Sequence, residues 1–260
     1  MKLSTIITTS AVLALAPPSF AGSCQVKSGA ATAALVELYT SEGCSSCPPA
    51  DRQLSKLRAA LDANAVVVPL ALHVTYWDQI GWKDGFAQGA FDARQRALVE
   101  QNRQHVVYTP QFFVNGEELR KWDAALPATV RRINARPAPV TITLRSNAAG
   151  AALTLDAAAT SVTAAANGAL YLAVVERGLS TQVLRGENRG ALLQHDDVVR
   201  TWLGPFPLQN GKIQMHQQVS VPPGWRGERL HAVAFVQAGA TILQAVSTDQ
   251  CVAPMPETKL

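Results

Sequence analysis

The chain has 260 residues, 48% of them apolar, and 23 Lys and Arg against 19 Asp and Glu give a formal net charge of +4. That length makes one large or two ordinary domains, each able to bury a core. Basic residues cluster no further than pairs such as Arg131-Arg132, so no nucleic-acid partner is read, and past the N-terminus no segment is long and apolar enough to span a membrane.

The first element is an address. Met1-Lys2 is a short positive start, Ile6 to Ala16 is mostly apolar, and Pro17-Pro18 breaks the run. Ser19-Phe20-Ala21 then places small residues three before and one before a cut. The pattern predicts a signal peptide over 1–21, too short to span a bilayer. The mature chain is then periplasmic or secreted, where disulfides persist. The four cysteines allow three pairings. Spacing pairs Cys44 with Cys47, and a structural disulfide between Cys24 and Cys251 is what remains.

Leu35 to Tyr39 reads as a buried strand and Asp51 to Leu61 as a helix, with Leu54, Leu57 and Leu61 at helical spacing. Between them stands Cys44-Ser45-Ser46-Cys47. A C-x-x-C between strand and helix puts a sulfur at a helix N-terminus, where unpaired N–H groups and the dipole favour thiolate. A zinc site would need two further Cys or His at matching spacing, and Cys24 and Cys251 stand singly near the ends. The pair therefore reads as a redox site. Val66 to Val74 predicts a second strand, Ala87 to Gln101 a helix, and Gln111 to Val114 a short strand before an Asn115-Gly116 turn. Asp123 to Ala135 predicts a last helix despite Pro127.

Arg136-Pro137-Ala138-Pro139 reads as a stiff linker between domains at 22–136 and 137–260. Beyond it, β-like runs over 140–144, 152–156, 170–176, 198–203, 212–221, 230–237 and 241–247 suggest a β-sandwich. Adjacent residues on a strand point opposite ways, so His195-Asp196-Asp197 reads as a solvated loop rather than a metal site. Glu187-Asn188-Arg189-Gly190 reads as a charged turn. No phosphate loop, nucleophile elbow or cofactor motif is present, and no cofactor is expected.

The order of elements, the C-x-x-C and Thr109-Pro110 ahead of the turn together resemble a thioredoxin fold. More narrowly, the chain resembles a family of secreted bacterial thioredoxin-like proteins of unknown function. The likeness is carried by Val36 through Asp51, His73 to Asp78, Gly81 to Asp84, Arg94 to Arg96, Tyr108 to Gln111 and Glu187 to Gly190. It implies an α/β thioredoxin-like domain followed by an all-β sandwich-like domain. It also implies that Cys44 attacks and Cys47 resolves, and that Pro110 follows a cis bond against the pair. Thr109, Tyr108 and Trp77 would then line a peptide groove, and Glu37 would be a buried proton acceptor beneath the cysteines. By analogy with copper-carrying relatives, Cys44, Cys47 and His73 form the alternative metal set.

These expectations make the chain an exported thiol–disulfide oxidoreductase acting on protein or peptide thiols, with a redox partner protein as a further expected partner. The competing reading is a copper or metal-thiol carrier, or a binding protein whose fold outlived its chemistry.

Overall fold

The computed structural model describes residues 21–162 and 168–251, so the predicted signal peptide, Ala21 apart, lies outside the described residues. In chain order the strands and helices are β1 (Ala21–Lys27), β2 (Ala34–Thr40), α1 (Pro48–Lys56), β3 (Val67–His73), α2 (Gly89–Gln101), β4 (Gln111–Val114), β5 (Glu117–Glu118) and α3 (Trp122–Asn134). Then follow β6 (Val140–Ala149), β7 (Ala152–Ser161), β8 (Ala169–Glu176), β9 (Leu179–Gln182), β10 (Leu192–His195), β11 (Val198–Pro207), β12 (Lys212–Ser220), β13 (Leu230–Ala238) and β14 (Thr241–Ser247). None of the helices described is long and apolar enough to cross a membrane.

The expected α/β domain followed by a separate all-β domain is not what the chain builds. The described chain is mostly β. Its largest sheet has eight strands in the order β14-β13-β8-β11-β3-β2-β4-β5, drawn from both halves. β2 runs parallel to β3 and antiparallel to β4, and β11 joins the outer edge of β3 through a parallel bridge from Val198 to Ala71. An edge such as β3 presents unpaired N–H and C=O groups, and β11 covers it; the Ala71 amide donates to the Asp197 carbonyl at 2.8 Å.

The proline-rich stretch, expected as a stiff linker, is tied by backbone bonds to the segment before β2. Ala31 bridges Pro137, Thr32 N–H donates to the Arg136 carbonyl and Ala138 N–H to the Ala30 carbonyl. At the far end the Asn115-Gly116 turn abuts the β13–β14 turn, with Gly116 at φ +84. A Cβ on Gly116 would run into the Ala240 carbonyl, so two turns from opposite halves meet backbone to backbone there.

A second sheet, β1-β6-β7-β12, packs on the β8–β13 part of the large one. Alternation along β6 and β7 turns Ile142, Leu144, Leu155 and Ala157 inward to meet Leu172, Val174, Ala232 and Ala234. β1 pairs with β6, Cys24 facing Ser146. The N-terminal strand thus belongs to the sandwich-like layer and not to the region around the C-x-x-C. A disulfide joins Cys24 to Cys251 with Cα atoms 6.0 Å apart.

Strand parity sets which residues reach the site. Leu35 and Tyr39 face one core with α2 residues Phe91, Leu98 and Val99. Ala34, Val36 and Leu38 face the other, with α1 residues Ala50 and Leu54, with Leu57 just after that helix, and with Val130 and Ile133 of α3. On β3, Ala71 shares that second face, and with a period of two so does His73.

Candidate functional site: a covered C-x-x-C above a buried polar cluster

Cys44 and Cys47 form a disulfide with Cα atoms 5.4 Å apart, and both residues are 0% exposed. The expected placement of Cys44 at the helix start is corrected. Cys47 is the N-cap of α1, and Pro48 and Pro49 occupy the first helical positions. These prolines carry no N–H, and the next two amides, of Ala50 and Asp51, both bond the Cys47 carbonyl at 2.9 and 3.1 Å. The helix end therefore offers Cys44 no free donor. Its neighbour is the Ser46 hydroxyl, which donates to Cys44 Sγ at 3.4 Å.

What covers the pair comes from the second half. β9 and β10 form a two-stranded ribbon joined to neither large sheet, and its tip lies over the cysteines. Asn188 Nδ2 donates to the Glu42 carbonyl at 2.8 Å and to the Cys44 carbonyl at 2.9 Å. Glu187 Oε2 accepts from the Ser45 N–H at 3.0 Å, and the Ser45 hydroxyl first, with that amide second, lowers the pKa of its carboxyl. Glu187-Asn188-Arg189-Gly190 is thus a cap on the C-x-x-C rather than a free charged turn.

Glu42, two residues before Cys44, and Asp51, four after Cys47, belong to a cluster of buried charge. Glu42, Asp51, His73, Asp84 and His195 are each at most 6% exposed. His73 Nδ1 bonds Asp84 Oδ2 at 2.7 Å. The same oxygen accepts from the Glu42 N–H at 2.8 Å. Glu42 Oε2 accepts from Trp82 Nε1 at 2.8 Å, and its Oε1 stands 3.4 Å from His195 Nε2. The rings of His73 and His195 meet edge on at 5.0 Å, with Phe86 against both.

Titration follows from that packing. Burial pushes the His73 imidazolium down, but the charge and hydrogen bond of Asp84, with Asp51 and Glu42 behind, raise its pKa overall. Burial works against ionised Asp84, and His73 and two backbone donors outweigh it, so that carboxyl lies low. Asp51 is raised, because its burial outweighs the nearby histidines. Several buried polar atoms here lack a hydrogen-bond partner among the described residues: Glu42 Oε1, Asp51 Oδ1, His73 Nε2 and both ring nitrogens of His195. His195-Asp196-Asp197 is accordingly not a solvated loop. His195 is 2% exposed, and Asp197 is 1% exposed between Arg58 at 2.7 Å and Arg177 at 2.9 Å.

The remaining expected residues divide. Glu37 faces away from the cysteines, on the α2 side, where Arg94 binds both its oxygens at 2.5 and 3.0 Å. It is three residues, an odd number, from Thr40, so the pleat turns it to the other face. Arg94 is buried in turn against Tyr171, Trp202 and Phe235. The Thr109–Pro110 bond is cis. Gln95 spans that turn, donating to the Tyr108 carbonyl at 2.9 Å and to Gln111 Oε1 at 2.7 Å. The Tyr108 hydroxyl donates to Glu118 at 2.7 Å, and its pKa is pushed up to about 12, by burial first and that carboxylate second. Trp77 packs beside the C-x-x-C, since a Cβ on Gly43 would lie 3.3 Å from the Trp77 Cβ.

The set Cys44, Cys47 and His73 is not assembled: no group of three His, Cys, Asp or Glu among the described residues is arranged to hold a metal ion. Sequence reasoning left Glu42, Asp51, Asp84, Glu187, Asn188 and His195 without a role at this site. A signal for Asp51 exists, four residues after Cys47 on the same helical face. Nothing in the sequence joins Asn188 or His195 to Cys44.

No curated protein matches this chain. Two solved structures share its fold. Protein AGR_C_4864 from Agrobacterium tumefaciens is 24% identical, with a TM-score of 0.59 over 90% of this chain and 99% of that one. HBP35 of Porphyromonas gingivalis is 17% identical, with a TM-score of 0.69 over 89% of this chain and 79% of that one. At these identities the likeness is one of fold alone. The model of the family described as "Protein of unknown function (DUF1223)" matches residues 35–237, and the chain belongs to that family.

Proposed function

We propose that the protein is an exported thiol–disulfide exchange protein acting on protein or peptide thiols through Cys44 and Cys47. The observation that carries this reading is the polar cluster that flanks the pair through Glu42 and Asp51. A disulfide that only braces a turn has no use for five buried titratable side chains, and buried charge with shifted pKa values concentrates where chemistry is done. In the exchange a donor thiolate attacks Cys44 Sγ, a bond forms to the donor sulfur, the Cys44–Cys47 bond breaks, and its electron pair leaves on Cys47 Sγ. Asp51, one turn along α1 and raised by burial, is the interior acid that gives Cys47 its proton. The buried carboxylate expected beneath the cysteines, there as a proton acceptor, was Glu37. A second donor thiol then releases Cys44, so that one dithiol becomes a disulfide as one disulfide becomes a dithiol.

Equilibration with glutathione buffers, read by thiol alkylation and mass, together with turnover on a fluorescent dithiol peptide, tests the reading. The expected result is a measurable potential and turnover that Cys44→Ser abolishes, while Cys47→Ser accumulates a mixed disulfide at Cys44. A pair that stays oxidised across the whole glutathione range, with no turnover, overturns it.

A further inference from the structure

We infer that Glu187 and Asn188 decide which thiols reach Cys44, by occupying the backbone positions that an incoming chain has to use; this rests on the exchange reading above. Three backbone groups frame the outer side of the C-x-x-C: the carbonyls of Glu42 and Cys44 and the N–H of Ser45. All three are taken by this tip, at 2.8, 2.9 and 3.0 Å. Asn188 supplies two donor bonds and Glu187 the acceptor, the same kinds of group that successive peptide units of a substrate would bring. With the tip seated, neither sulfur is exposed.

The tip is built to be displaced without unfolding the rest. Its ribbon pairs only with itself. The tip is rooted where it leaves the ribbon by Val183, 0% exposed, and Leu193, 7% exposed, and the Val183 N–H donates to the Ala191 carbonyl at 2.9 Å. Beyond that rung Leu184, Arg185, Gly186 and Glu187 are exposed and Asn188 is half-buried. Gly186 and Gly190 hold φ of +75 and +88, conformations that tie the turn to glycine. Gly186 also lies against Gly81 and Trp82, where a Cβ would meet the Trp82 Cβ at 3.2 Å, so the tip rests there on a glycine with no side chain of its own to withdraw. Displacement exchanges three hydrogen bonds to the tip for the same three to a polypeptide substrate. A small thiol offers none in return and meets a closed site.

The experiment measures the second-order rate of Cys44–Cys47 reduction by dithiothreitol, whose two thiols are oxidised to its cyclic disulfide as both cysteines are reduced. Thiol labelling reads the product. Asn188→Ala is expected to raise the rate at least ten-fold, and Glu187→Ala several-fold, each with an unchanged melting temperature. In the wild type the Ser45 amide is expected to be protected from hydrogen exchange, and to lose at least ten-fold of that protection in Glu187→Ala. Rates within two-fold of wild type in both variants, or an unprotected Ser45 amide in the wild type, overturn the inference. Because dithiothreitol reduction needs no turnover, the outcomes separate: faster reduction in a protein without exchange activity keeps the cap and removes the function, and unchanged reduction in an active protein does the reverse.

Discussion

The two disulfides of this chain are the same bond in opposite settings. Cys44–Cys47 has a sequence separation of three, stands at the start of the helix that carries buried Asp51, and is covered by side chains from the far half of the sequence. Cys24–Cys251 spans 227 residues and ties β1, in one sheet, to the turn after β14, in the other. Cys24 packs on apolar residues of the sandwich core. Closing a long loop removes much more freedom from the unfolded chain than closing a short one. The difference teaches that the long link holds layers together, whereas the short one adds little hold and is surrounded by groups that manage charge.

Removing each bond in turn is the sharpest way to break that comparison. Cys24→Ser with Cys251→Ser is expected to cost roughly 5 kcal/mol, and Cys44→Ser with Cys47→Ser about 2 kcal/mol, on the chain-entropy account. Urea unfolding under non-reducing conditions measures both. Equal losses would erase the distinction between clasp and site.

The next largest effect belongs to the cluster. Asp84→Asn breaks a fully buried pair with His73 and is expected to cost about 3 kcal/mol. The sign with pH follows from both partners. The raised His73 contributes fully below its unfolded pKa, about 6.5, and that part is lost as pH rises through its folded value. The lowered Asp84 contributes above about 3.9 and loses its part as pH falls through its folded value. The stabilisation is therefore fullest between about pH 4 and 6.5, and Asp84→Asn should flatten the fall of the stability–pH curve on either side of that window. A variant curve parallel to the wild type would detach the pair from that dependence.

The smallest effect has the opposite sign. Asp51 is raised by burial, so its contribution is complete below about pH 3.9 and is lost as pH rises through the folded value. At pH 7 its ionisation opposes folding. Asp51→Asn is expected to stabilise the oxidised protein by about 1 kcal/mol, a rise of roughly 2–4 °C in Tm, while slowing exchange at the cysteines. A variant that is less stable and fully active would remove Asp51 from the proposed chemistry.

Much of the local structure was legible. The strand at 241–247 and the strand and turn at 111–116 stand where turn chemistry and periodicity put them. The 51–61 helix proved instead to be α1 at 48–56, preceded by the cysteines, because Pro48 is well suited to a first helical position. The ribbon β9–β10 escaped notice because four-residue strands such as Leu192–His195 carry too few alternations to read. The family likeness marked the stretches that hold Glu42, Asp51, Asp84 and Asn188, but it pointed to Glu37 as the acid, and the pleat of β2 turns that residue toward Arg94.

By itself the sequence determined the close pair of cysteines, the Cys24–Cys251 pairing that export and elimination leave, and most of the strands and helices. The close pair, the strands and the helices rest on spacing, turn residues and periodicity, which are local; the Cys24–Cys251 pairing rests on elimination. Only the tertiary structure decided that β11 joins β3 to make one sheet of two halves, that His195 meets Glu42, and that Asn188 closes over Cys44. Those contacts span 127, 153 and 144 residues, from 198 − 71, 195 − 42 and 188 − 44. Over such separations, partners are chosen by which edges and buried polar groups remain to be satisfied once the sheets have formed.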